Sequence, residues 1–348
     1  MKFGLIGSGS IGAVRAAALA KMAGSSLTAI HDVDGSRARA VAPTATFHAS
    51  TRAMIDDPDV EAVIISTPPQ FHEQLAIDAV QAGKHVLVEK PMAASVEVCQ
   101  NMARAAQEAG RLLTVGYNHR YFEAVKLVRD IVRSGQIGKL SHVRAYTGHT
   151  GLSEFKASWM YDGAIMGGGT LFDNGTHIVD MVRYLMGDFD EVYGHSSNKV
   201  WEIDNVEDNA LALVRSAEGV TGSIQSSWTE WKGYRFWIEA YGDRGMASAY
   251  YAPMMAKVIT LDRPGGSPTV RRYFYPKAIV REKLRGWQST VIQTFIEELD
   301  DFAAVAGGGL GSGRLAVAED GIRAIQVAKA VYESSRSGHR ITLGQALI

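Results

Sequence analysis

The sequence predicts an α/β plus α+β protein: an N-terminal doubly wound parallel sheet, followed by a domain with a large, mostly antiparallel open sheet. Its length of 348 residues is about twice that of a typical domain. Short apolar runs alternate with alanine-rich helical stretches over the first third, as in a parallel sheet covered on both faces. Strand-like segments then follow one another with few helices between, which favours antiparallel pairing. We expect a dinucleotide-binding Rossmann domain at residues 1–119, and a substrate-binding and oligomerisation domain at residues 120–348.

Two patterns of apolar residues predict the strands and helices of the first domain. Near-continuous apolar runs with flanking turn residues predict strands, and apolar residues at helical spacing predict helices. The predicted strands are Lys2–Ile6, Leu27–His31, Ala62–Ser66, His85–Glu89 and Leu112–Val115. The predicted helices are Ile11–Ala23, Ser36–Ala42, His72–Ala82 and Ser95–Ala109.

The second domain is predicted mainly from alternating apolar and polar residues. The predicted strands are Leu140–Gly148, Glu191–Lys199, Ala210–Arg215, Val220–Ser226, Arg235–Tyr241, Lys257–Leu261 and Val270–Tyr275. Two helices close the chain, near Ser289–Ala306 and Leu315–Ser335. Trp228 lies near a predicted strand, and we expect its side chain to pack on the sheet or to contact another subunit.

Composition excludes several classes of protein. A net charge of -1 offers no bulk attraction to nucleic acid or anionic lipid. The single cysteine, Cys99, rules out a disulfide framework and predicts a buried, inert thiol. No apolar run approaches the roughly 20 residues of a membrane span, and the first residues are apolar too briefly for an export signal. We expect a cytoplasmic protein with no membrane or nucleic-acid partner.

Gly7, Gly9 and Gly12 form a G-x-G-x-x-G motif between a predicted strand and a predicted helix. Such glycines permit a tight turn and bring the backbone close to a pyrophosphate at the helix N-terminus. Asp32 follows the second strand, about 20 residues later, where a carboxylate accepts hydrogen bonds from the adenosine ribose and repels a 2′-phosphate. These residues predict NAD as the cofactor, and nearby Arg37 leaves NADP open.

A buried apolar strand ends directly at Glu89-Lys90-Pro91. Lys90 therefore lies at the carboxyl edge of the parallel sheet, where ligands bind in such folds. Pro91 excludes the helical region for the residue before it. We expect Lys90 to act at the functional site rather than to be a solvated loop lysine.

Asp173, His177 and Asp180 are spaced four and three residues apart after three consecutive glycines. On a regular helix this spacing places all three on one face. Gly175 lies inside the predicted helix, at a cost of up to about 1 kcal/mol relative to alanine. We expect a ligand packed against the backbone there to explain this glycine.

These residue types suit hydride removal from a secondary alcohol. A neutral histidine accepts the hydroxyl proton near pH 7, because unperturbed histidine titrates near pH 6.5. A lysine ammonium beside the same oxygen stabilises alkoxide charge, and a carboxylate orients the imidazole or relays its proton. Lys90, Asp173 and His177 are therefore the candidate catalytic residues.

The motifs together resemble the Gfo/Idh/MocA oxidoreductases, the family of glucose–fructose oxidoreductase and inositol dehydrogenase. The similarity is carried by the glycine motif, Thr67-Pro68-Pro69 with His72, Gly83 through Pro91, Gly116 through Tyr121, Gly167 through Asp180, and Ala330 through Ser334. The resemblance implies a sugar, polyol or inositol-like substrate, catalysis by Lys90, Asp173 and His177, and a homodimer or homotetramer formed through the C-terminal sheet. The expected cofactor-binding residues are Gly7, Gly9, Ser10, Ile11, Gly12, Asp32, Thr67, Pro68, His72, Glu89 and Lys90.

Substrate contacts are less well defined. The candidates are Asn118, Arg120, Trp159 and Tyr161, together with Asp173 and His177, and the first four are equally consistent with core or interface packing. Three alternative functions remain open: a non-catalytic dinucleotide-dependent sensor, an NAD-dependent glycosidase, and a metal site built from Asp173, His177 and a histidine such as His149. We expect no metal, because the Lys90 cation disfavours one nearby.

Overall fold

The computed structural model describes residues 1–153 and 157–344, and it divides into two compact units, each built on its own sheet. The first unit contains Met1–Tyr121 and Arg281–Ile322, and the second contains, among the described residues, those of Phe122–Val280 and residues 323–344. The functional division into 1–119 and 120–348 stays a prediction. The two compact units divide the chain differently, because residues 281–322 belong to the unit that contains the N-terminal sheet.

The first unit is a six-stranded parallel sheet in the order β3-β2-β1-β4-β5-β6, as predicted for a doubly wound fold. Its strands are β1 (Lys2–Ile6), β2 (Ser26–His31), β3 (Thr46–Phe47), β4 (Ala62–Ile65), β5 (His85–Val88) and β6 (Leu113–Val115). The helices between them are α1 (Ser10–Leu19), α2 (Gly35–Val41), α3 (Thr51–Ile55), α4 (His72–Gln81) and α5 (Val96–Glu108). Cys99 is buried in α5, which raises the pKa of its thiol to about 12, as expected for an inert cysteine.

The second unit carries a nine-stranded sheet in the order β14-β13-β12-β11-β7-β10-β9-β8-β15. Its strands are β7 (Leu140–Gly148), β8 (Glu191–Ser197), β9 (Asn209–Arg215), β10 (Thr221–Ser227), β11 (Arg235–Gly242), β12 (Gly245–Tyr251), β13 (Met255–Thr260), β14 (Thr269–Phe274) and β15 (Ile341–Thr342). Among the described strands only β7 and β10 pair in parallel, so the sheet is mostly antiparallel, as predicted.

Helices cover one face of this second sheet. They include α6 (Glu123–Arg133) and α8 (Thr176–Met186). The short helix α7 (Gly163–Met166) precedes α8, and α9 (Pro276–Arg285) follows the last long strand. A Cβ atom on Gly222 of β10 would lie 3.4 Å from Val182 of α8, so the helix packs closely on that strand. On the other face, alternate side chains of β8 and β9 stay exposed, among them Tyr193, Leu211 and Leu213.

Two long helices end the chain, α10 (Gln288–Ala306) and α11 (Ala318–Ser337), close to the predicted bounds. α10 packs on α1 within the first unit, where Phe302 meets Phe3 with ring centroids 5.8 Å apart. No helix in the described parts of the chain is both long and apolar enough to cross a membrane.

Candidate functional site

The glycine motif forms the turn from β1 into α1. Gly7 has a φ of 91°, and a Cβ atom there would lie 2.7 Å from the carbonyl oxygen of Ser66. A Cβ atom on Gly12 would lie 2.1 Å from the carbonyl oxygen of Gly7. Gly9 differs, because a Cβ atom there would meet no described atom within 4 Å. Gly7 and Gly12 are thus required by packing, whereas Gly9 faces open space at the start of α1.

Asp32 is fixed at the end of β2 by four hydrogen bonds. Its Oδ2 atom accepts from the backbone N–H of Ser8 at 2.6 Å and from the Ser8 hydroxyl at 2.8 Å. Its Oδ1 atom accepts from the backbone N–H of Asp34 at 2.8 Å and from Nη2 of Arg37 at 2.6 Å. Burial by itself raises the pKa of Asp32, but these hydrogen bonds outweigh it and hold the pKa below its usual value. Asp32 is therefore an ionised acceptor next to the glycine turn.

The loops after β4 and β5 are tied together by His72. Its ring is fully buried, with Nε2 2.9 Å from the carbonyl oxygen of Thr67 and Nδ1 3.1 Å from that of Met92. Burial lowers its pKa, so the ring is neutral. The contacts of His72 are with backbone, and they shape the loop that contains Thr67 and Pro68.

Lys90 follows β5 at the carboxyl edge of the parallel sheet, as predicted, and it is half-buried. Glu89, the residue before it, accepts a hydrogen bond from Nε of the buried Arg15 at 2.7 Å. His119, in the segment after β6, lies close enough to the Lys90 cation to be affected by it: burial and Lys90 together lower the pKa of His119 to about 3. His119 is therefore neutral beside Lys90.

Asn118 and Arg120 are buried in the first unit with protein partners. Asn118 donates from Nδ2 to the hydroxyl of Thr294 in α10 at 2.8 Å. Arg120 lies 3.1 Å from a carboxylate oxygen of Asp320. These contacts join the strand-end segment to the late part of the chain, and a role in substrate binding stays a prediction.

Asp173 lies in a π-helical turn, Leu171–Gly175, and not in the regular helix that the spacing predicted. The backbone N–H of Gly175 bonds to the carbonyl oxygen of Thr170, five residues earlier. His177 and Asp180 follow in α8 and are buried, as Asp173 is. The expectation that a ligand explains Gly175 is wrong for the described structure: a Cβ atom there would lie 2.9 Å from Leu171 and 3.2 Å from the hydroxyl of Ser226.

His149 and Trp228 both contact the carboxylate of Asp173. The sequence grouped His149 with Asp173 only in the metal-site alternative, and Trp228 was interpreted as sheet packing or a subunit contact. Nε2 of His149 lies 2.7 Å from Oδ2 of Asp173, and the indole N–H of Trp228 donates to the same oxygen at 3.2 Å. These two residues follow β7 and β10, the one parallel pair of the sheet, at their carboxyl ends. Both residues come just after a predicted strand, and this position is the sequence feature that could have indicated the arrangement.

Glu207 holds the backbone at Gly169 and Leu171, just before Asp173. Its carboxylate accepts from the backbone N–H of Gly169 at 2.8 Å, from that of Leu171 at 2.7 Å, and from the hydroxyl of Tyr332 at 2.7 Å. Burial raises the pKa of Glu207 although these hydrogen bonds oppose the shift. A Cβ atom on Gly169 would lie 2.0 Å from the carbonyl oxygen of Glu207, so this glycine is required by packing.

Trp159 and Tyr161 are half-buried in a short 3₁₀ helix, Ser158–Tyr161, within the second unit. Their role in substrate binding stays a prediction. Across residues 1–153 and 157–344, no three histidine, cysteine, aspartate or glutamate side chains form a group that could hold a metal ion. His149 is instead a hydrogen-bond partner of Asp173.

The residues of the first unit fit a bound dinucleotide. The first turn of α1 begins at Gly9 without a side-chain cap, and the space beside that glycine is open. Beside the turn, the hydroxyls of Ser66 and Thr67 are buried, and neither has a hydrogen-bond partner among the described residues. A phosphate group and a ribose offer the acceptors and donors that these groups lack.

Comparison with known proteins agrees with this geometry. The family model described as "Oxidoreductase family, NAD-binding Rossmann fold" matches residues 1–117, and that of the "GFO/IDH/MocA C-terminal domain" matches residues 125–248. A solved levoglucosan dehydrogenase in complex with NADH and L-sorbose has a TM-score of 0.86 and 27% sequence identity, covering 99% of each chain.

Two curated relatives show how far the sequence similarity extends. Levoglucosan dehydrogenase of Pseudarthrobacter phenanthrenivorans is 35% identical over 181 residues, which are 50% of this chain and 45% of the relative. Myo-inositol 2-dehydrogenase of Thermotoga maritima is 29% identical over 307 residues, which are 86% of this chain and 88% of the relative. The first match thus spans about half of the relative, and the second spans most of it. With both family models matched in order and most of the chain covered, the protein belongs to the Gfo/Idh/MocA family of NAD-binding oxidoreductases.

Proposed function

We propose that the protein is a dehydrogenase that transfers a hydride between NAD(P) and a carbinol carbon of a sugar, polyol or inositol-like substrate. The observation that carries this is the buried carboxylate of Asp173, oriented by His149 and Trp228 just before His177 on the same helical segment. The family membership and the printed activities of the relatives, on levoglucosan and on myo-inositol, support the substrate class.

In this mechanism His177 accepts the hydroxyl proton of the substrate as the carbonyl forms, and it returns a proton in the reverse direction. The Lys90 ammonium stabilises negative charge on the same oxygen. Asp173 orients the imidazole or relays its proton. The glycine turn and Asp32 would hold NAD, which would supply the acceptor for the hydride.

The experiment is a set of three single variants assayed with NAD and a carbohydrate panel that includes levoglucosan and myo-inositol. Lys90→Ala and His177→Ala are expected to lower kcat by about 100-fold or more, because a positioned base contributes 10²–10⁴-fold. Wild-type turnover in either variant would overturn the assigned roles. His339→Ala, at an exposed histidine, is the control and is expected to be fully active.

The same assay tests the alternative functions. A net redox product with one NADH formed per substrate supports the dehydrogenase. Hydrolysis of a glycoside with catalytic NAD identifies a glycosidase, and NADH binding without turnover of any panel member indicates a sensor.

We further propose that the protein forms a homo-oligomer through the uncovered face of the nine-stranded sheet. Tyr193, Leu211 and Leu213 are each about half exposed there, and exposed apolar side chains that share one sheet face favour a subunit contact. A cavity of about 440 Å³ opens on this sheet, and its lining includes Tyr193, Leu213 and Arg215 but neither Asp173 nor His177. Sedimentation of wild type and of Leu213→Lys tests the proposal: a monomeric wild type overturns it, and dissociation of the variant supports it.

A further inference from the structure

A buried charge cluster lies beneath the strand end that carries Lys90. Arg15 of α1 is fully buried and donates from Nε to Glu89 at 2.7 Å and from Nη1 to Glu298 of α10 at 2.5 Å. Glu298 is 1% exposed and Glu89 is 8% exposed. One guanidinium thus links the residue before Lys90 to a helix nearly 200 residues further along the chain.

The cluster is sterically confined. The guanidinium carbon of Arg15 lies 3.7 Å from the centroid of the Phe295 ring, one turn before Glu298 in α10. On the other side, a Cβ atom on Gly116 would lie 2.8 Å from Nη2 of Arg15 and 2.9 Å from Oε2 of Glu89. Arg15 therefore has little freedom to turn, and a change at Glu298 is transmitted to Glu89.

The two carboxylates of the cluster share one directly bonded cation. Arg15 supplies the cation that both contact directly, and Arg120, after β6, is the other cation that acts on Glu298. Glu89 repels Glu298, and the phenol of Tyr121 also faces this carboxylate. Burial raises the pKa of Glu298 to about 7, with the repulsion from Glu89 adding to the shift and Arg15 opposing it.

We propose that Glu298 is a positioning residue for Lys90: through Arg15 it fixes the Glu89 carboxylate and hence the chain at the carboxyl end of β5. The inference rests on the proposed role of Lys90 and adds a residue that touches neither substrate nor cofactor. Ionised Glu298 completes the clamp on Arg15, so correct positioning of Lys90 is favoured as the pH rises through about 7.

The test compares Glu298→Gln with Glu297→Gln, a partly exposed neighbour in the same helix. Glutamine keeps an acceptor for Arg15 and removes the charge. We expect Glu298→Gln to lower kcat about 10-fold to 100-fold, as small misplacements of catalytic groups do, and to remove an ionisation near pH 7 from the pH profile of kcat. Glu297→Gln is expected to match wild type in kcat and in its pH profile.

A double-mutant cycle separates positioning from general damage. In a Lys90→Ala background, Glu298→Gln is expected to have no further effect on kcat, because the side chain that it positions is gone. An equal loss in both backgrounds, or wild-type kcat and pH profile in the single variant, would overturn the inference. If Glu298→Gln fails to fold, Glu298→Asp is compared in the same cycle, since it keeps the charge and shortens the reach. Wild-type activity of Lys90→Ala contradicts the proposed function itself, which is a distinct result.

Discussion

Nε2 of His149 lies 2.7 Å from Oδ2 of Asp173, while Nδ1 of the same ring accepts a hydrogen bond from the backbone N–H of Gly151 at 3.0 Å. A ring nitrogen that accepts carries no proton, so in the neutral ring Nε2 is the donor. The Gly151 backbone therefore fixes the tautomer in which His149 donates to Asp173. This arrangement leaves the carboxylate as a pure acceptor with a set orientation.

Replacement of His149 by alanine is expected to lower kcat by about tenfold or more, because Asp173 loses a buried hydrogen bond worth 1–3 kcal/mol. His149→Gln, which retains a donor, is expected to recover part of this loss. Steady-state kinetics with the best substrate of the panel measure both. His339→Ala, at an exposed histidine of the same unit, is the control, and an effect of equal size there would contradict the specific role of His149.

Replacement of Gly9 and of Gly12 by alanine is expected to affect different properties, NADH affinity for Gly9 and folding stability for Gly12. Gly9→Ala is expected to fold with a free energy of unfolding within about 1 kcal/mol of wild type, because the new methyl group meets no described atom within 4 Å. The same methyl group enters the space that a pyrophosphate needs, so NADH affinity is expected to fall by about tenfold or more.

Gly12→Ala is the matched comparison for stability, since its Cβ atom would lie 2.1 Å from the carbonyl oxygen of Gly7. Here the free energy of unfolding is expected to fall by about 1–3 kcal/mol or more. Urea denaturation and NADH fluorescence measure the two properties separately. Equal NADH affinity of Gly9→Ala and wild type would show that no cofactor approaches this glycine.

Arg37 is expected to determine how well NADP is used. Its side chain is 47% exposed and pairs with Oδ1 of Asp32 at 2.6 Å, beside the position where a 2′-phosphate would add negative charge. Arg37→Ala is expected to lower kcat/KM with NADP by about 10-fold to 100-fold, the value of a charge-assisted hydrogen bond, with little change for NAD. Arg39→Ala, which removes a side chain stacked on Phe47, is the control. Equal losses with both cofactors would contradict the assignment.

Glu298 also predicts how stability depends on pH. Its pKa is about 7 in the folded protein and 4.5 in its unperturbed state. Between these values the folded chain holds a proton that the unfolded chain releases, so this group's contribution to stability falls as the pH rises from 4.5 to 7. The free energy of unfolding is expected to decrease in wild type relative to Glu298→Gln by up to about 3 kcal/mol over this range. Urea denaturation at pH 5, 6, 7 and 8 checks this, and parallel curves would contradict it.

Elements with strong local patterns were predicted closely. β1 and β7 have the predicted bounds, and the fold class is confirmed by both sheets. β12 was missed because Gly245–Tyr251 is rich in small residues and lacks the apolar alternation that indicates a strand. β3 was missed because it has two residues, and α9 because its exposed face has few buried positions.

The site was predicted where function depends on residues adjacent in sequence. The glycine turn, Asp32 and the strand end at Lys90 each follow from a local pattern. His149 was grouped with Asp173 only as an alternative metal ligand, and Trp228 was not grouped with it. Their hydrogen bonds to Asp173 depend on the parallel pairing of β7 with β10, which a prediction of a mostly antiparallel sheet does not specify. Glu207 was missed because its hydrogen-bond partners are distant in sequence, at 38, 36 and 125 residues away.

The late position of α10 has a consequence for synthesis and for truncation. When the ribosome has released only the first 121 residues, Phe3 lacks its aromatic neighbour Phe302, and the guanidinium of Arg15 lacks one of its two carboxylates. The N-terminal sheet therefore reaches its final packing only after residues 281–322 have emerged. An isolated N-terminal fragment ending at Tyr121 is left with an open apolar groove along α1, so excision of the nucleotide-binding half requires that the late helix be supplied with it.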